Sequence, residues 1–184
     1  MKKIIVFTGQ VASGKGTAAA FFVQKYGAKV FRFSTMLRDI LDRLYLTQSR
    51  ENMQDISMNL RGRFGQDLMA KVIAHDVERA DAKLVIVDGA RRPEDIEHLK
   101  RLDGFTLIAV SARPEVRFER MHTREENPDD HSKTWEEFLK EEGAETEVLI
   151  PRLMNEADFT VDNNGDRESL EKQLEEIYAK ITNS

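Results

Sequence analysis

The sequence GQVASGKGT, residues 9–17, restricts most strongly what this chain can fold into. It follows an apolar run, Ile4–Thr8, and precedes a segment with helical spacing, Lys15–Tyr26. A glycine-rich turn between a strand and a helix can wrap a phosphate group with backbone N–H groups, and the positive end of the helix dipole adds to the attraction. The pattern G-x4-G-K-x-T should arise by chance only about 0.003 times in such a chain, so it predicts a phosphate-binding loop.

Several residues of this loop have separate expected roles. Gly9 and Gly14 permit backbone geometry that a Cβ atom would obstruct, and Lys15 can reach the β- and γ-phosphates of a nucleoside triphosphate. Gly16 stands where such loops usually carry the Ser or Thr hydroxyl that binds Mg²⁺. We therefore expect the ion to be held by phosphate oxygens, water and one carboxylate, Asp88. The other candidate nucleotide-binding residues of the loop are Ala12, Ser13 and Thr17.

Short apolar runs alternate with helical patterns along the rest of the chain. Runs without polar alternation are typical of strands buried on both faces of a parallel sheet, and their alternation with helices indicates an α/β fold. The predicted strands are Ile4–Thr8, Val30–Phe33, Leu84–Val87, Thr106–Val110 and Phe159–Val161. Helical spacing covers Lys15–Tyr26, Thr35–Leu46, Ser49–Ala80, Pro93–Leu102, Pro114–Arg124, Ser132–Asn155 and Arg167–Ile181. With no linker or repeat, we expect a single domain, residues 1–184.

Composition excludes several classes of protein. The 184 residues include no cysteine, which rules out disulfide frameworks, thiolate zinc sites and a cysteine nucleophile. No apolar run is long enough for a transmembrane helix. The apolar stretch in MKKIIVFTG, at the start of the sequence, is too short for a secretory signal peptide, so we expect a cytoplasmic location.

Charge is distributed unevenly along the chain. Residues 1–124 carry 22 basic and 15 acidic side chains, whereas residues 125–184 carry 6 and 18. The acidic part argues against a nucleic-acid partner, but the basic part can hold a small anion. Residues 125–147, with ten acids and two lysines, begin with the turn signal NPDD, and we expect a mobile lid there.

Three motifs resemble those of a known family. GKGT after a strand, FSTMLR at residues 33–38 and DGARR at residues 88–92 are similar to the adenylate-kinase branch of the P-loop nucleoside monophosphate kinases. The resemblance implies that Thr35 and Arg38 bind the acceptor monophosphate, and that Arg91 or Arg92 does so too. Arginine suits this role because its guanidinium can grip a phosphate through two parallel hydrogen bonds. An alternative for Arg38 is a surface ion pair with Asp42.

Two further arginine groups are candidates for the acceptor and the lid. Arg113, Arg117, Arg120 and Arg124 recur at spacings of four, three and four, which puts them in a stripe on one helical face. Arg120 and Arg124 resemble the arginines that begin the lid of adenylate kinases, and such charges can stabilise a transferring phosphoryl group. The alternative is that the stripe pairs with neighbouring glutamates. Arg61 and Arg63, in LRGRFGQDL, resemble an acceptor-side segment, which makes residues 35–80 the expected acceptor-binding region.

The end of the chain resembles a different branch. NNG at residues 163–165, within ADFTVDNNG, is similar to the loop beside the adenine base in dephospho-CoA kinases, which implies nucleotide contacts by Asn164 and Gly165.

Asp88, after a buried strand, is expected to orient Mg²⁺ or the acceptor oxygen. A strand-end aspartate capping the following helix is the alternative for that residue.

Taken together, the resemblance implies a three-layer α/β P-loop kinase fold with a five-stranded parallel sheet and a short lid. The implied activity is transfer of the ATP γ-phosphoryl, with Mg²⁺, to a nucleoside or deoxynucleoside monophosphate, with Lys15, Asp88, Arg120 and Arg124 as catalytic residues. Two alternatives stay open: a dephospho-CoA kinase, and an ATPase or nucleotide switch that acts through a protein partner. No membrane partner is expected, and the sequence indicates no oligomeric state.

Overall fold

The computed structural model describes residues 1–123, 131, 133–143 and 148–183. Five strands lie in this part of the chain: β1 (Lys3–Thr8), β2 (Lys29–Arg32), β3 (Leu84–Ala90), β4 (Phe105–Ser111) and β5 (Phe159–Asp162). The helices are α1 (Lys15–Tyr26), α2 (Phe33–Arg43), α3 (Arg50–Phe64), α4 (Leu68–Arg79), α5 (Pro93–Ile96), α6 (Pro114–Thr123), α7 (Trp135–Glu142), α8 (Ile150–Asn155) and α9 (Arg167–Asn183), with a 3₁₀ turn at Leu99–Arg101.

The five strands form one parallel sheet in the order β2-β3-β1-β4-β5. The central strand, β1, is paired on both sides, so Ile5 lies between Ile86 of β3 and Thr106 of β4. Such a strand must be apolar on both faces, which explains the uninterrupted run in its sequence. The α/β class and the five-stranded parallel sheet are thus confirmed.

Helices cover both faces of the sheet and complete three layers. On one face, α2, α4, α5 and α8 bury side chains such as Leu37, Ile73 and Leu153 against Val6. On the other face, α1 and α9 pack onto Ile5 and Phe7. Successive residues of β1 therefore serve opposite cores, as the two-residue period of a strand requires. The buried side chains of α1 and α9 in this second core are Ala18, Ala19, Phe21, Phe22, Leu170, Leu174, Ile177 and Ile181.

Helix boundaries follow the local sequence in most places. Gly27 ends α1 in the left-handed conformation, with φ 65°, and Pro93 and Pro114 are the first residues of their helices. The long helical stretch expected over Ser49–Ala80 is broken, because Gly65 has φ 107° and separates α3 from α4. That backbone angle is open to glycine and strained for other residues.

The segment expected to form a lid is described only in part. Within residues 125–147, α7 packs Phe138 against Met121 and Val11, and Trp135 and Phe118 lie at the edge of this small cluster. The cluster seats α7 beside the phosphate loop and α6. Of that segment, residues 125–130, 132 and 144–147 fall outside the described residues. Among the described helices, none combines the length and apolarity that crossing a bilayer requires.

Candidate functional site

The turn between β1 and α1 is held by close backbone packing. A Cβ atom on Gly9 would lie 2.3 Å from the Val110 carbonyl oxygen, and one on Gly14 would lie 2.0 Å from Asn163 Nδ2. Both glycines have positive φ, 148° and 104°, and Ala12 between them has φ 57°. A left-handed alanine costs about 1–2 kcal/mol, which the surrounding packing must offset. Gly9 and Gly14 are therefore required both by conformation and by the lack of space.

The beginning of α1 is open to an anion. Gly14 is the N-cap residue, and no side chain caps the first turn of the helix. Lys15 starts the helix, and its Nζ donates hydrogen bonds to the carbonyl oxygens of Gly9, at 2.7 Å, and Gln10, at 2.9 Å. Uncapped N–H groups with an adjacent ammonium group suit a phosphate, because both the helix dipole and the charge favour an anion.

Asp88 lies near the end of β3, where the sheet register sets it opposite Arg32 of β2. Arg32 Nε is 3.3 Å from Asp88 Oδ2, and the aspartate side chain is mostly buried. The next residue, Gly89, has φ 93° and turns the chain outward. The structure thus places the predicted carboxylate beside the phosphate loop, with an arginine partner.

One cleft of about 770 Å³ connects these groups. Of the described residues that line it, seven are cationic and two, Asp88 and Asp95, are anionic. Phe33, Leu37, Met53 and Met69 add an apolar wall from α2, α3 and α4. The cationic residues are Lys15, Arg32, Arg38, Arg50, Arg61, Arg91 and Arg120.

The structure brings most of the predicted site residues to this cleft. From the phosphate loop, and from the predicted acceptor and catalytic groups, the lining includes Ala12, Gly14, Lys15, Gly16, Thr17, Arg38, Arg61, Asp88, Arg91 and Arg120. Gly9 and Ser13 are buried and support the loop from below. The position of these residues around one cleft agrees with a phosphate loop. That each of them binds nucleotide or acceptor stays a prediction.

Other predicted residues are not brought to the cleft. Thr35 and Arg63 are exposed and do not line it, whereas the neighbouring Ser34 does. Arg92 also stays outside the lining and hydrogen-bonds Gln66, so of the arginine pair Arg91 is the one that faces the cleft. Arg124 lies outside the described residues.

Arg120 is held by the loop between β5 and α9. Its Nη1 donates to the Asn163 carbonyl oxygen at 2.8 Å, and its Nη2 donates to the Gly165 carbonyl oxygen at 3.3 Å. Asn164 caps the turn that leads into α6, because its Oδ1 accepts from the Arg113 N–H at 2.7 Å. Gly165 and Asn164 therefore act through backbone and turn contacts here, and neither lines the cleft.

Arg117 does not share the environment of the other described arginines of the stripe. Its side chain is 1% exposed, donates to the Ala112 carbonyl oxygen and forms an ion pair with Glu142 of α7 at 2.5 Å. The stripe is split because α7 covers one part of α6, a long-range contact that the spacing of residues on α6 does not encode.

Three residues of the site were missed from the sequence. Arg32 and Arg50 line the cleft, and Arg50 also pairs with Glu141 of α7 at 2.6 Å. Asn163 is buried, and its Nδ2 donates to the Ser13 carbonyl oxygen at 2.8 Å. Only the NNG motif pointed to this region, and the resemblance singled out Asn164 and Gly165, whereas the structure places Asn163 against the phosphate loop.

Asp95 organises the arginines on the α5 side of the cleft. This buried carboxylate accepts hydrogen bonds from the backbone N–H groups of Arg91 and Arg92, and its Oδ1 lies 3.8 Å from Arg61 Nη2. A capping carboxylate in the first turn is favoured by the helix dipole. It also fixes the backbone direction at Arg91.

The chemistry of the donor set fits ATP with Mg²⁺. The open face at Gly16, which has no atom closer than 3.9 Å to an ideal Cβ, leaves room for phosphate oxygens, and Asp88 offers one carboxylate. Magnesium tolerates a site with one protein carboxylate, several waters and phosphate oxygens. Asp88 would hold the ion, and the loop amides with Lys15 would hold the phosphates.

A separate cluster contains Asp67, Glu97 and His98, whose ligand atoms lie within 4.8 Å of one another. Asp67 Oδ2 is 2.8 Å from His98 Nε2 and also pairs with Lys71. Hydrogen bonds from His98 and Lys71 lower the pKa of Asp67 to about 2. These bonds join the start of α4 to the turn after α5, and the cluster does not line the cleft.

Comparison with known proteins identifies the family. Residues 8–138 match a family model described as AAA domain. A UPF0200 protein from Sulfurisphaera tokodaii is 30% identical over 181 residues, covering 97% of both chains. A UPF0200 protein from Pyrococcus abyssi is 29% identical over 183 residues, covering 97% of this chain and 96% of the relative. The chain belongs to the AAA domain family and to the UPF0200 family.

Solved structures share the fold of this UPF0200 protein over nearly its whole length. Shikimate kinase from Bacteroides thetaiotaomicron matches with a TM-score of 0.67 and 17% identity, covering 98% of each chain. Shikimate kinase from Acinetobacter baumannii, in complex with shikimate, matches with a TM-score of 0.57 and 15% identity, covering 100% of this chain and 94% of the other. The expected P-loop kinase fold is confirmed. Sequence identities this low support a shared fold and not a shared function.

Proposed function

We propose that this protein is an ATP-dependent kinase that transfers a phosphoryl group to a nucleoside or deoxynucleoside monophosphate. The observation that carries the proposal is that one cleft holds both a phosphate loop and arginines from three other parts of the fold. A site for ATP alone does not need Arg38, Arg61 and Arg91 in the same cavity. Guanidinium groups favour a second phosphate-bearing ligand, because they bind phosphate through paired charged hydrogen bonds.

The apolar wall supports a nucleoside as the rest of that ligand. Phe33, Leu37, Met53 and Met69 line the same cavity as the arginines. A planar base buries apolar surface against such a wall while its phosphate stays among the charges. Ser57 and Gln54 add polar groups on α3 that can hydrogen-bond a base.

In the proposed reaction, an acceptor phosphate oxygen forms a bond to the γ-phosphorus of ATP. The bond from that phosphorus to the β–γ bridging oxygen breaks, which yields ADP and a nucleoside diphosphate. Mg²⁺, when bound, neutralises charge on the β- and γ-phosphates. Lys15 exchanges its carbonyl partners for phosphate oxygens, Asp88 holds the ion's water shell or the acceptor, and Arg120 balances charge on the transferred group.

A panel assay tests the proposal. Purified protein is mixed with ATP, Mg²⁺ and single acceptors, and ADP formation is followed for nucleoside monophosphates, deoxynucleoside monophosphates, dephospho-CoA and shikimate. Acceptor-dependent ADP formation with at least one monophosphate is the expected result. Turnover of dephospho-CoA alone would replace the proposal with the dephospho-CoA kinase alternative. ATP hydrolysis that no acceptor stimulates would favour the nucleotide-switch alternative and overturn the kinase assignment.

Thermal shift gives an independent measure of acceptor binding. A monophosphate that occupies the cleft together with a non-hydrolysable ATP analogue should raise the melting temperature beyond the analogue alone, because binding to the folded state stabilises it. Arg38→Gln should reduce this additional shift. Arg43→Gln is the matched control, since Arg43 ends the same helix, is exposed and does not line the cleft.

A further inference from the structure

Arg32 occupies an unusual position between the phosphate loop and Asp88. It is the last residue of β2, and its Nε lies 3.3 Å from Asp88 Oδ2. The atom nearest to an ideal Cβ on Gly16 is Arg32 Nη2, at 3.9 Å. One guanidinium group therefore reaches from the carboxylate on β3 to the first turn of α1.

The two ends of this guanidinium differ in what they contact. The Nε atom lies beside Asp88, whereas Nη2 lies 3.9 Å from the position that a Cβ atom on Gly16 would occupy. The Arg32 side chain is 50% exposed and lines the cleft. An ion pair at such exposure is weak, so it does not prevent the Nη groups from donating to a ligand.

Gly16 is the position at which the loop lacks a magnesium-binding hydroxyl. The β- and γ-phosphates of a nucleotide gripped by this loop would lie at the start of α1, next to Gly16. Apart from Lys15 and the helix dipole, positive charge at that place would otherwise depend on an ion with a single protein carboxylate. The Arg32 guanidinium group thus lies close to Gly16, the position at which other phosphate loops carry the hydroxyl.

We propose that Arg32 is a direct ligand of the triphosphate, supplying beside Gly16 part of the positive charge that a hydroxyl-held Mg²⁺ supplies in other phosphate loops. This inference rests on the proposed ATP site. It predicts that ATP binds appreciably without Mg²⁺, and that this binding depends on Arg32. It also predicts that ATP depends on Arg32 more than ADP does, because the charge lies next to the γ-phosphate.

The test is calorimetric titration of ATP and ADP in EDTA and in excess Mg²⁺, with wild type, Arg32→Gln, Arg32→Lys and the control Arg43→Gln. In EDTA, Arg32→Gln should weaken ATP binding by about tenfold to a hundredfold, the range expected for losing a charged hydrogen bond. The affinity for ADP should fall less than the affinity for ATP, and excess Mg²⁺ should reduce the loss of ATP affinity. Arg43→Gln should bind both nucleotides as wild type does. Arg32→Lys should fall between wild type and Arg32→Gln.

The outcomes separate the inference from the function beneath it. Equal ATP binding by wild type and a folded Arg32→Gln in EDTA, or equal losses for ATP and ADP, would mean that Arg32 only pairs β2 with β3, and the inference would be wrong. If Arg32→Gln does not unfold cooperatively, Arg32→Lys is used in its place. A ratio of ATP affinity to ADP affinity below that of wild type supports the inference, and an unchanged ratio contradicts it. Wild type that binds no ATP in either buffer would overturn the proposed ATP site itself.

Discussion

At the scale of single residues, main-chain groups build the phosphate loop and a few side chains hold it in shape. Lys15 is satisfied by two carbonyl oxygens of the same loop, so in the ligand-free protein its charge is already directed across the turn. Asn163 secures the loop from outside by donating to Ser13. Both side chains donate to main-chain oxygen atoms, so they hold the loop through its backbone.

Replacing Lys15 by Ala should lower turnover by several orders of magnitude, because charge stabilisation of the moving phosphoryl group is the main contribution of such a lysine. Its partners are carbonyl oxygens that water can reach, since they are only partly buried, so the melting temperature should change little. The measurement is ADP formation with the acceptor found in the panel, beside a thermal melt. A fully active Lys15→Ala enzyme would contradict the assignment.

Asn163→Ala should destabilise the protein by about 1–3 kcal/mol, because the buried Ser13 carbonyl oxygen loses its side-chain donor. Nucleotide affinity should fall with it, since the loop is no longer held. Asn164→Ala is the matched comparison: its hydrogen bonds are solvent-exposed, and water can replace them. Urea unfolding of both variants measures the difference, and equal losses would show that the contact between Asn163 and Ser13 is unimportant.

At the scale of elements, the site depends on how helices are joined as well as on what they contain. Gly65 ends α3 with φ 107°, and this break turns one helical stretch into two helices that both line the cleft. Helix α7 is fastened to α6 by Glu142 and Arg117, and to α3 by Glu141 and Arg50. Helix α7 is therefore connected both to α6, beside the phosphate loop, and to α3 on the other side of the cleft.

Arg117→Met should lower the free energy of unfolding by about 3–5 kcal/mol, the usual effect of removing one partner of a buried ion pair. The variant leaves the Ala112 carbonyl oxygen without its donor and Glu142 without its cation. Chemical denaturation measures the loss. Arg113→Met, at an exposed residue just before α6, should be close to neutral, and a similar loss in both variants would refute the special role of Arg117.

The contact between α4 and the turn after α5 should depend on pH. The pKa of Asp67 is lowered from 3.8 to about 2 by hydrogen bonds from His98 and Lys71. Its stabilising contribution is therefore complete above pH 4 and is lost as the pH falls toward 2. Asp67→Asn should destabilise the protein more at pH 5 than at pH 2.5, as measured by urea unfolding at both values. The same loss at both pH values would contradict this linkage.

The sequence predicted the elements better than it predicted their contacts. β1, β3 and β4 were recognisable because a strand buried on both faces has no polar alternation, and the phosphate loop was recognisable because its glycines are required by local geometry. Arg117 was grouped with Arg120 on one helical face because helical spacing does not reveal that α7 covers Arg117. Thr35, in place of Ser34, was assigned to the acceptor by resemblance, and which of the two faces the cleft depends on how α2 is rotated against the sheet.

At the scale of the whole molecule, a negatively charged chain contains a positive cleft. The net charge is −5, yet the cleft lining has seven cationic and two anionic side chains. Such a local field attracts anions even when the overall charge is repulsive. The sheet order gathers these charges, because the carboxyl ends of parallel strands meet at one edge, and the segments that leave β1, β2 and β3 add side chains to the same cavity.

Affinity for the acceptor should fall as salt is added, because much of the attraction is electrostatic and partly exposed to solvent. We expect the KM for a monophosphate acceptor to rise severalfold between roughly 50 and 500 mM salt, where the screening length shortens from about 14 to 4 Å. Initial rates at fixed, saturating ATP measure the change, with an uncharged osmolyte of matched osmolality as the control. A KM insensitive to salt would mean that the arginines of the cleft do not contact the acceptor.

The depth of β1 has a consequence for how the protein can diverge. Its residues Ile4 to Phe7 are almost fully buried and bonded to strands on both sides, whereas α3 buries only Ser57 and leaves Met58 and Phe64 in solvent. Amide protons of β1 should exchange with deuterium only when the whole molecule opens, and those of α3 through local fraying. Mutations can accumulate on α3 at little cost in folding, so acceptor preference can drift between relatives while the grip on the donor stays the same.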